Sequence, residues 1–274
     1  MEAAPSPHGT AARLGTLLLR LAPLLFAAVL VLAGAAGSAG PSRDLLPDLV
    51  TRVPAKIFVQ VGKHGRRVVR FSNEVVNIGR GPLELRPRIG DCNRNGNLGD
   101  DRTSYQRIYR DADGDGRFAR QVDVHFRTRP AGCTRFHPAH KHWHFEALAE
   151  YALYELRAPG STGSVLVAGK KISSCVLDTK RRLPKAPGSP RRKVYGSCRR
   201  DSVGGISIGW GDIYGSRVSG QELDISTLAD AAYCLVSRAD PENRLLESNE
   251  QNNLRTTRIV LRDETIVWRP HHPC

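Results

Sequence analysis

Short β-branched runs punctuated by glycine occupy both ends of this chain. From Lys56 to Leu85 they are Ile57-Phe58-Val59-Gln60-Val61, Val68-Val69-Arg70-Phe71 and Val75-Val76-Asn77-Ile78, with Gly62, Gly65, Gly79 and Gly81 between or after them. Such residues suit a pleated, half-buried surface and glycine suits the tight connections, so each run reads as a strand. The far end repeats this character in Leu223-Asp224-Ile225, Tyr233-Cys234-Leu235-Val236, Arg258-Ile259-Val260-Leu261 and Thr265-Ile266-Val267-Trp268, with an Asp240-Pro241-Glu242-Asn243 turn among them. The pattern predicts an all-β fold with a β-sandwich core. Phe145 to Leu156 alternates only loosely and its Ala, Leu and Glu residues also suit a helix; we read it as a strand. Gly90 to Gln121 and Thr179 to Gly211, rich in Arg, Gly, Asp and Pro, are expected to be long irregular loops.

Redox context comes from the cysteines and the leader. Arg13 and Arg20 precede an uncharged stretch from Leu21 to Ala39 that ends in small residues, the layout of a cleaved signal peptide over residues 1–39. Kept instead of cleaved, that stretch is long enough to anchor in a bilayer. All six cysteines, Cys92, Cys133, Cys175, Cys198, Cys234 and Cys274, follow it, so three disulfides stapling the fold are expected outside the cytoplasm. Fifteen pairings are open to six cysteines. Sequence neighbours would join Cys92 to Cys133, Cys175 to Cys198 and Cys234 to Cys274.

The 274-residue chain is strongly basic, with 41 Lys and Arg against 27 Asp and Glu. That balance favours approach to acidic surfaces, and simple solubility explains it better than nucleic-acid binding, so no specific nucleic acid is expected. The run from Lys180-Arg181-Arg182 to Arg191-Arg192-Lys193, broken by Pro184, Pro187 and Pro190, reads as an extended surface loop.

Four of the nine histidines fall within His137-Pro138-Ala139-His140-Lys141-His142-Trp143-His144. On an extended backbone, residues two apart share a face, so His140, His142 and His144 converge while Lys141 and Trp143 point away and His137 falls off the stripe. Three neutral imidazoles suit copper or zinc and leave coordination positions open. Spacing alone does not choose between these metals.

Extended to Phe145-Glu146 and to Tyr151-Ala152-Leu153-Tyr154-Glu155-Leu156, the histidine run resembles the copper-binding segment of lysyl oxidases. Gly169-Lys170-Lys171-Ile172-Ser173-Ser174-Cys175-Val176-Leu177-Asp178 resembles the segment that carries the family's cofactor lysine, and Lys171 is the matching residue. Trp210-Gly211-Asp212-Ile213-Tyr214-Gly215, followed by Leu223 to Ser226, is similar to the segment that carries the cofactor tyrosine, with Tyr214 as the match. A fourth block is Glu247-Ser248-Asn249-Glu250-Gln251-Asn252-Asn253. Ala139 stands where animal members carry cysteine, the tryptophan upstream of the first histidine is missing, and a basic insertion separates Lys171 from Tyr214. These features fit a bacterial-type or divergent secreted member.

The resemblance implies a catalytic domain over residues 44–274 with copper on His140, His142 and His144, and lysine tyrosylquinone built from Lys171 and Tyr214. It implies oxidative deamination of a primary amine or a lysine-containing protein by molecular oxygen, giving an aldehyde, hydrogen peroxide and ammonia. Asp212 is the candidate general base. It further implies a calcium site from Asp48 and the Leu49 carbonyl together with Glu247, Asn249, Asn252 and Asn253. A separate candidate calcium loop is read from the residues themselves: Asp111, Asp113 and Asp115 with Gly116 at the sharp turn, although Val122 stands where a bidentate glutamate belongs. The alternative to an oxidase is a noncatalytic secreted copper-binding β-sandwich or envelope-attachment protein. A zinc hydrolase lacks a glutamate in zincin-like spacing.

Overall fold

The computed structural model describes residues 43–158, 161–168, 172–268 and 272–274. The expected leader (residues 1–39) and Lys171 lie outside the described residues. In chain order the strands are β1 (Asp44–Leu45), β2 (Leu49–Thr51), β3 (Ala55–Val61), β4 (Arg67–Asn77), β5 (Leu83–Arg88), β6 (Asp101–Arg110), β7 (Phe126–His137), β8 (His142–Ala158) and β9 (Ser161–Ala168). They continue as β10 (Ile172–Ser174), β11 (Lys180–Arg181), β12 (Gly204–Ile206), β13 (Trp210–Tyr214), β14 (Glu222–Asp224), β15 (Ala232–Ala239), β16 (Leu254–Arg262) and β17 (Thr265–Trp268). Apart from one 3₁₀ turn at Lys63–Gly65, the regular structure of the described residues is antiparallel β.

Two sheets carry these strands. The larger runs β12-β5-β6-β7-β8-β15-β16-β17, with β1 added to β6 and β9 and β10 added to β8. The smaller runs β11-β13-β4-β14, with β2 and β3 also paired to β4. Their facing side chains make one core: Leu49, Val69, Phe71 and Val75 from the smaller sheet meet Leu148, Tyr151, Leu153, Leu235 and Ile259 from the larger. Phe71 packs edge-on against Tyr151 at 4.8 Å between ring centroids, a favoured geometry for two aromatic rings. The sandwich expected from the β-branched runs is therefore present, and Phe145 to Leu156 lies within strand β8.

Two expectations change. Val68–Phe71 and Val75–Asn77 form one eleven-residue strand, because Ser72, Asn73 and Glu74 between them stay in register with Ala55, Tyr214 and Ile213. Asp101–Arg110, inside the stretch expected to be irregular, is strand β6. Its buried face carries Arg102, Ser104 and Gln106 before Ile108, so most of the inward residues are polar and the hydrophobic alternation that signals a strand is absent. Gln106 compensates by pairing through its amide with both the N–H and the C=O of Leu246, at 2.8 and 2.9 Å.

Disulfides join Cys92 to Cys133, Cys175 to Cys198 and Cys234 to Cys274, with Cα atoms 5.7, 5.6 and 5.8 Å apart. The sequence-neighbour pairing is the observed one. Gly81 passes so close to β1 that a Cβ there would lie 1.9 Å from the Leu45 carbonyl oxygen, which requires glycine.

Candidate metal centre

The histidine run is a hairpin, not a continuous extended segment. Strand β7 ends at His137 and β8 begins at His142, the two residues being cross-strand partners. Residues 138–141 form the turn between them, closed by the His140 and Lys141 N–H groups donating to the His137 carbonyl at 3.1 and 2.8 Å. Lys141 takes φ +55, the left-handed conformation that lets the chain re-enter the sheet. The reading of His137 as off the stripe is corrected by this turn. Cross-strand partners point to one face, so His137 joins His142 and His144, while His140 reaches the group from the turn.

The four rings form one cluster. Ring centroids are 4.1 Å apart for His137 and His140, 4.7 Å for His142 and His144, 5.2 Å for His140 and His144, and 5.5 Å for His140 and His142. Ligand nitrogens of His137, His140 and His144 all lie within 4.8 Å of one another. His140 Nδ1 and His144 Nε2 are 3.4 Å apart, while His144 Nδ1 faces Ser173 Oγ at 3.2 Å. The Ser173 contact leaves His144 Nε2 directed at the cluster, as is usual for a metal-binding imidazole whose other ring nitrogen is held by a polar neighbour. His137 Nδ1 is buried with no partner among the described residues. Burial, reinforced by the neighbouring His142, His137 and His140, pushes His144 down to about 4, so its ring is a neutral donor at ordinary pH. Such a donor set suits a nitrogen-preferring transition metal.

His140, His142 and His144 line a cavity of ≈ 320 Å³ together with Ile172, Ser173, Cys175, Val218, Ser219, Gln221 and Tyr214. Tyr214 reaches it because β13 pairs with β4, setting Asp212 opposite Val75 and Tyr214 opposite Asn73. Residues two apart on a strand share a face, so Asp212 lies beside Tyr214 and deeper, only 2% exposed. Burial holds the Asp212 carboxyl well above the usual carboxylate range, although the Leu177 N–H donates to it at 3.4 Å. Tyr214 is also raised well above its ordinary value, first by burial and then by Asp212. The Tyr214 hydroxyl donates to the Cys175 carbonyl at 3.1 Å. Across the Cys175–Cys198 bridge, the Cys198 carbonyl accepts the Trp143 N–H at 2.9 Å. One disulfide thus ties the tyrosine to the strand that carries the histidines. Trp143 itself faces away from the cluster, with Arg102 and Arg200 stacked 5.3 and 5.5 Å from its ring.

The three aspartates of the first acidic cluster lie together, whereas of the second expected set Asp48, Glu247, Asn252 and Asn253 are linked by hydrogen bonds and Asn249 lies outside it. Asp111, Asp113 and Asp115 bring carboxylate oxygens within 4.8 Å of one another around Gly114 and Gly116, whose φ values are +80 and +71. The buried Asp123, rather than Val122, closes the loop by accepting the Ala112 and Ala119 N–H groups at 2.9 and 2.7 Å. In the second cluster the Leu49 N–H donates to Glu247, Asn253 Nδ2 donates to Glu247 at 3.0 Å, and Asn252 Nδ2 donates to Asp48 at 2.8 Å. The Oδ1 atoms of Asn252 and Asn253 are buried without partners among the described residues. Asn249 is exposed and accepts the Gln251 N–H at 3.0 Å. Burial, together with Glu250 and Asp240, pushes Glu247 up to about 8 against its two donors.

A family model described as Lysyl oxidase matches residues 118–270, a span that contains the histidines, Asp212 and Tyr214. The chain belongs to the lysyl oxidase family. It is also 24% identical over 204 residues to lysyl oxidase homolog 4 of Mus musculus, an alignment covering 74% of this chain and 20% of that protein. The chain therefore spans about a fifth of that relative's length. The lysyl oxidase match omits the first strands, so the sheet edge around Asp48 rests on the geometry alone.

His137, Gln221 and Arg70 escape a linear reading of this lysyl oxidase domain. His137 enters only through the hairpin turn, for which Pro138 was the available signal. Gln221 follows the Gly220 turn, and nothing in its sequence surroundings marks it. Arg70 is 7% exposed on β4 and donates to the Ser216 and Val218 carbonyls at 2.6 and 2.7 Å and also to Glu222. It thereby fixes the loop that forms one wall of the cavity.

Proposed function

We propose that this chain is a secreted, copper-dependent amine oxidase that converts primary amines, either peptidyl lysine or small amines, to aldehydes. The net reaction takes amine, molecular oxygen and water to aldehyde, ammonia and hydrogen peroxide. The observation that carries the proposal is that three histidines and Tyr214 line a single cavity in a member of the lysyl oxidase family.

His140, His142 and His144 are the proposed copper ligands, with His137 beside them. Their fit to the metal is supported by the mutual approach of the imidazoles and by the unpartnered His137 Nδ1. Tyr214 and Lys171 are the proposed precursors of lysine tyrosylquinone; Lys171 directly precedes Ile172, which lines the cavity. Held by these residues, copper would supply the redox chemistry for forming the cofactor, and the cofactor would supply a carbonyl electrophile for the amine. Ser173 orients His144, and the Cys175 carbonyl orients the Tyr214 ring. Ile172 and Val218 give the cavity an apolar wall for the substrate's methylenes. Asp212, neighbouring Tyr214, is the proposed acceptor of the substrate α-proton, and burial raises the proton affinity of its carboxyl.

Copper is the metal that this chemistry requires, and calcium is proposed at both oxygen clusters as a structural ion. Residues 1–39 as a removed leader, residues 44–274 as the catalytic domain, and export from the cytoplasm complete the proposal; three disulfides support the export. The exposed Lys185, Arg191, Arg192 and Lys193 suit an acidic surface as the place of action.

Peroxide release from an amine tests the reading. The copper-loaded wild type should produce peroxide stoichiometric with aldehyde, and Tyr214→Phe should lose at least about a thousandfold in rate, as expected when the electrophile is removed. Equal rates from the two proteins would remove Tyr214 from the chemistry.

A further inference from the structure

A second cavity, of ≈ 290 Å³, lies where the basic insertion folds against the segment from Phe118 to Gln121. Pro82, Phe118, Pro190, Val194 and Ile208 give it apolar walls, and it shares no lining residue with the histidine cavity. Arg191, Arg192 and Lys193 fill the positions between Pro190 and Val194, and Arg117 directly precedes Phe118, so four cations flank the lining residues. All four are exposed, and none forms an ion pair among the described residues. Asp115, two residues before Arg117, turns its carboxylate to the Arg117 backbone N–H at 2.7 Å. Arg120, which also lines the cavity, shares Glu84 with Arg107 at 3.2 and 2.7 Å, so that group too keeps one positive charge in excess. Like charges gathered in one place repel each other, and a bound anion relieves the repulsion.

The insertion is largely irregular yet tied down. The buried Asp178 carboxylate accepts the N–H groups of Val194, Tyr195 and Ser207 at 2.8, 3.2 and 2.8 Å and the Ser207 hydroxyl at 2.7 Å. The Tyr195 hydroxyl donates to Glu84 at 2.8 Å, and the Trp210 indole N–H donates to the Pro190 carbonyl at 3.0 Å. Arg181 donates to the Pro184 and Ser189 carbonyls at 3.0 and 2.9 Å. Gly188 has φ +78 and passes so close to Phe118 that a Cβ would lie 2.9 Å from the Phe118 carbonyl oxygen. A loop that only solvates the surface needs none of these ties, whereas a wall that receives a ligand gains affinity by being preorganised.

We propose that this cavity and its cationic rim form a docking site for an acidic peptide segment of a partner protein. One aliphatic side chain enters between Phe118, Pro190, Val194 and Ile208, and flanking carboxylates pair with Arg117, Arg191, Arg192 and Lys193, the way arginine clusters recognise acidic motifs. The recessed apolar cavity beside the charges selects a peptide over a polyanionic polysaccharide, which has no apolar side chain to place there, and over an anionic lipid surface, which is flat. The site goes beyond the oxidase reading and narrows the acidic surface named with it to a peptide. Occupying it leaves the histidine cavity open, because the two share no wall.

The test uses the copper-loaded full chain and fluorescein-labelled peptides, with binding read by fluorescence anisotropy. The probes are Asp-Glu-Leu-Asp-Glu, the same peptide with serine in place of leucine, and the uncharged Ser-Gln-Leu-Gln-Ser. Wild type should bind the first at least about tenfold more tightly than either control, because one control lacks the isobutyl group and the other lacks the charges. Arg191→Glu/Arg192→Glu should weaken the first peptide by about tenfold or more. Val194→Asn keeps the N–H that Asp178 accepts, and it should weaken the first peptide by about fivefold while leaving the serine peptide unchanged. Peroxide release from n-butylamine should stay within about twofold of wild type in both variants, since neither touches the histidine cavity. No binding of the first peptide to wild type, or a parallel loss of peroxide release in the variants, would overturn the assignment. Dextran sulfate or phosphatidylserine vesicles that bind through Arg191 and Arg192, with no advantage of the leucine peptide over the serine peptide, would make this face a general polyanion surface and overturn it as well. If the double variant fails to fold, the three peptides on wild type carry the test. Peptide binding by a wild type that releases no peroxide would defeat the oxidase reading and leave the docking site standing.

Discussion

At the scale of single residues, the metal centre turns on which imidazoles hold the ion. Spacing in sequence favours His140, His142 and His144, whereas His137, His140 and His144 bring their nitrogens closest together. Copper titrations of His137→Ala and His142→Ala separate the two sets. The proposed ligand set predicts that losing His142 weakens copper by more than about a hundredfold and that losing His137 costs about tenfold, the size expected for a residue that orients the ligands without binding the ion. The reverse order would move the metal to the tighter triad. The sequence made three of these residues legible because alternate positions on a strand share a face. His137 was hidden because a four-residue turn, not an extended backbone, brings it in. Gln221 was hidden for a different reason: only the fold brings it to the cavity wall.

At the scale of elements, strand patterning carried the fold well where the inward face was apolar and failed where it was polar. The runs feeding β3, β4, β15 and β16 were visible as β-branched residues; β6 was not, because Arg102, Ser104 and Gln106 face inward. The element most closely tied to function is the bridge from Cys175 to Cys198. It closes a 23-residue separation, and the two half-cystine carbonyls hold Tyr214 and Trp143. Replacing both cysteines by alanine should lower stability by about 2–4 kcal/mol through the unfolded state. It should also loosen Tyr214 relative to the histidines, so that kcat falls more than the lost stability explains. Thermal unfolding and turnover, measured on the same copper-loaded sample, check this. A variant less stable but fully active per folded molecule would show that the bridge only staples the chain.

At the scale of the whole molecule, Glu247 joins the strand-rich end of the chain to its beginning, through the Leu49 N–H and beside Asp48. Its carboxyl is raised from an ordinary 4.5 to about 8, so the folded protein holds a proton that the unfolded chain releases within that window. The Glu247 contribution is fully present below about pH 4.5 and is lost as pH rises through about 8. In metal-free protein, wild type should therefore lose melting temperature relative to Glu247→Gln between about pH 5 and pH 8. Added calcium should restore wild type most at the alkaline end, because the ion replaces the proton on the carboxylate. A calcium effect independent of pH, or equally large in Glu247→Gln, would place the ion elsewhere.

The sandwich brings histidines from one hairpin and a tyrosine from the opposite sheet into one cavity, and the proposed oxidase depends on Tyr214 joining covalently to Lys171 when the histidines hold copper. Peptide mass mapping of fully copper-loaded protein tests that directly. A covalent link between the peptides that contain Lys171 and Tyr214, absent when copper is withheld, is the predicted result. Unlinked and unmodified peptides in protein carrying its full complement of copper would contradict it.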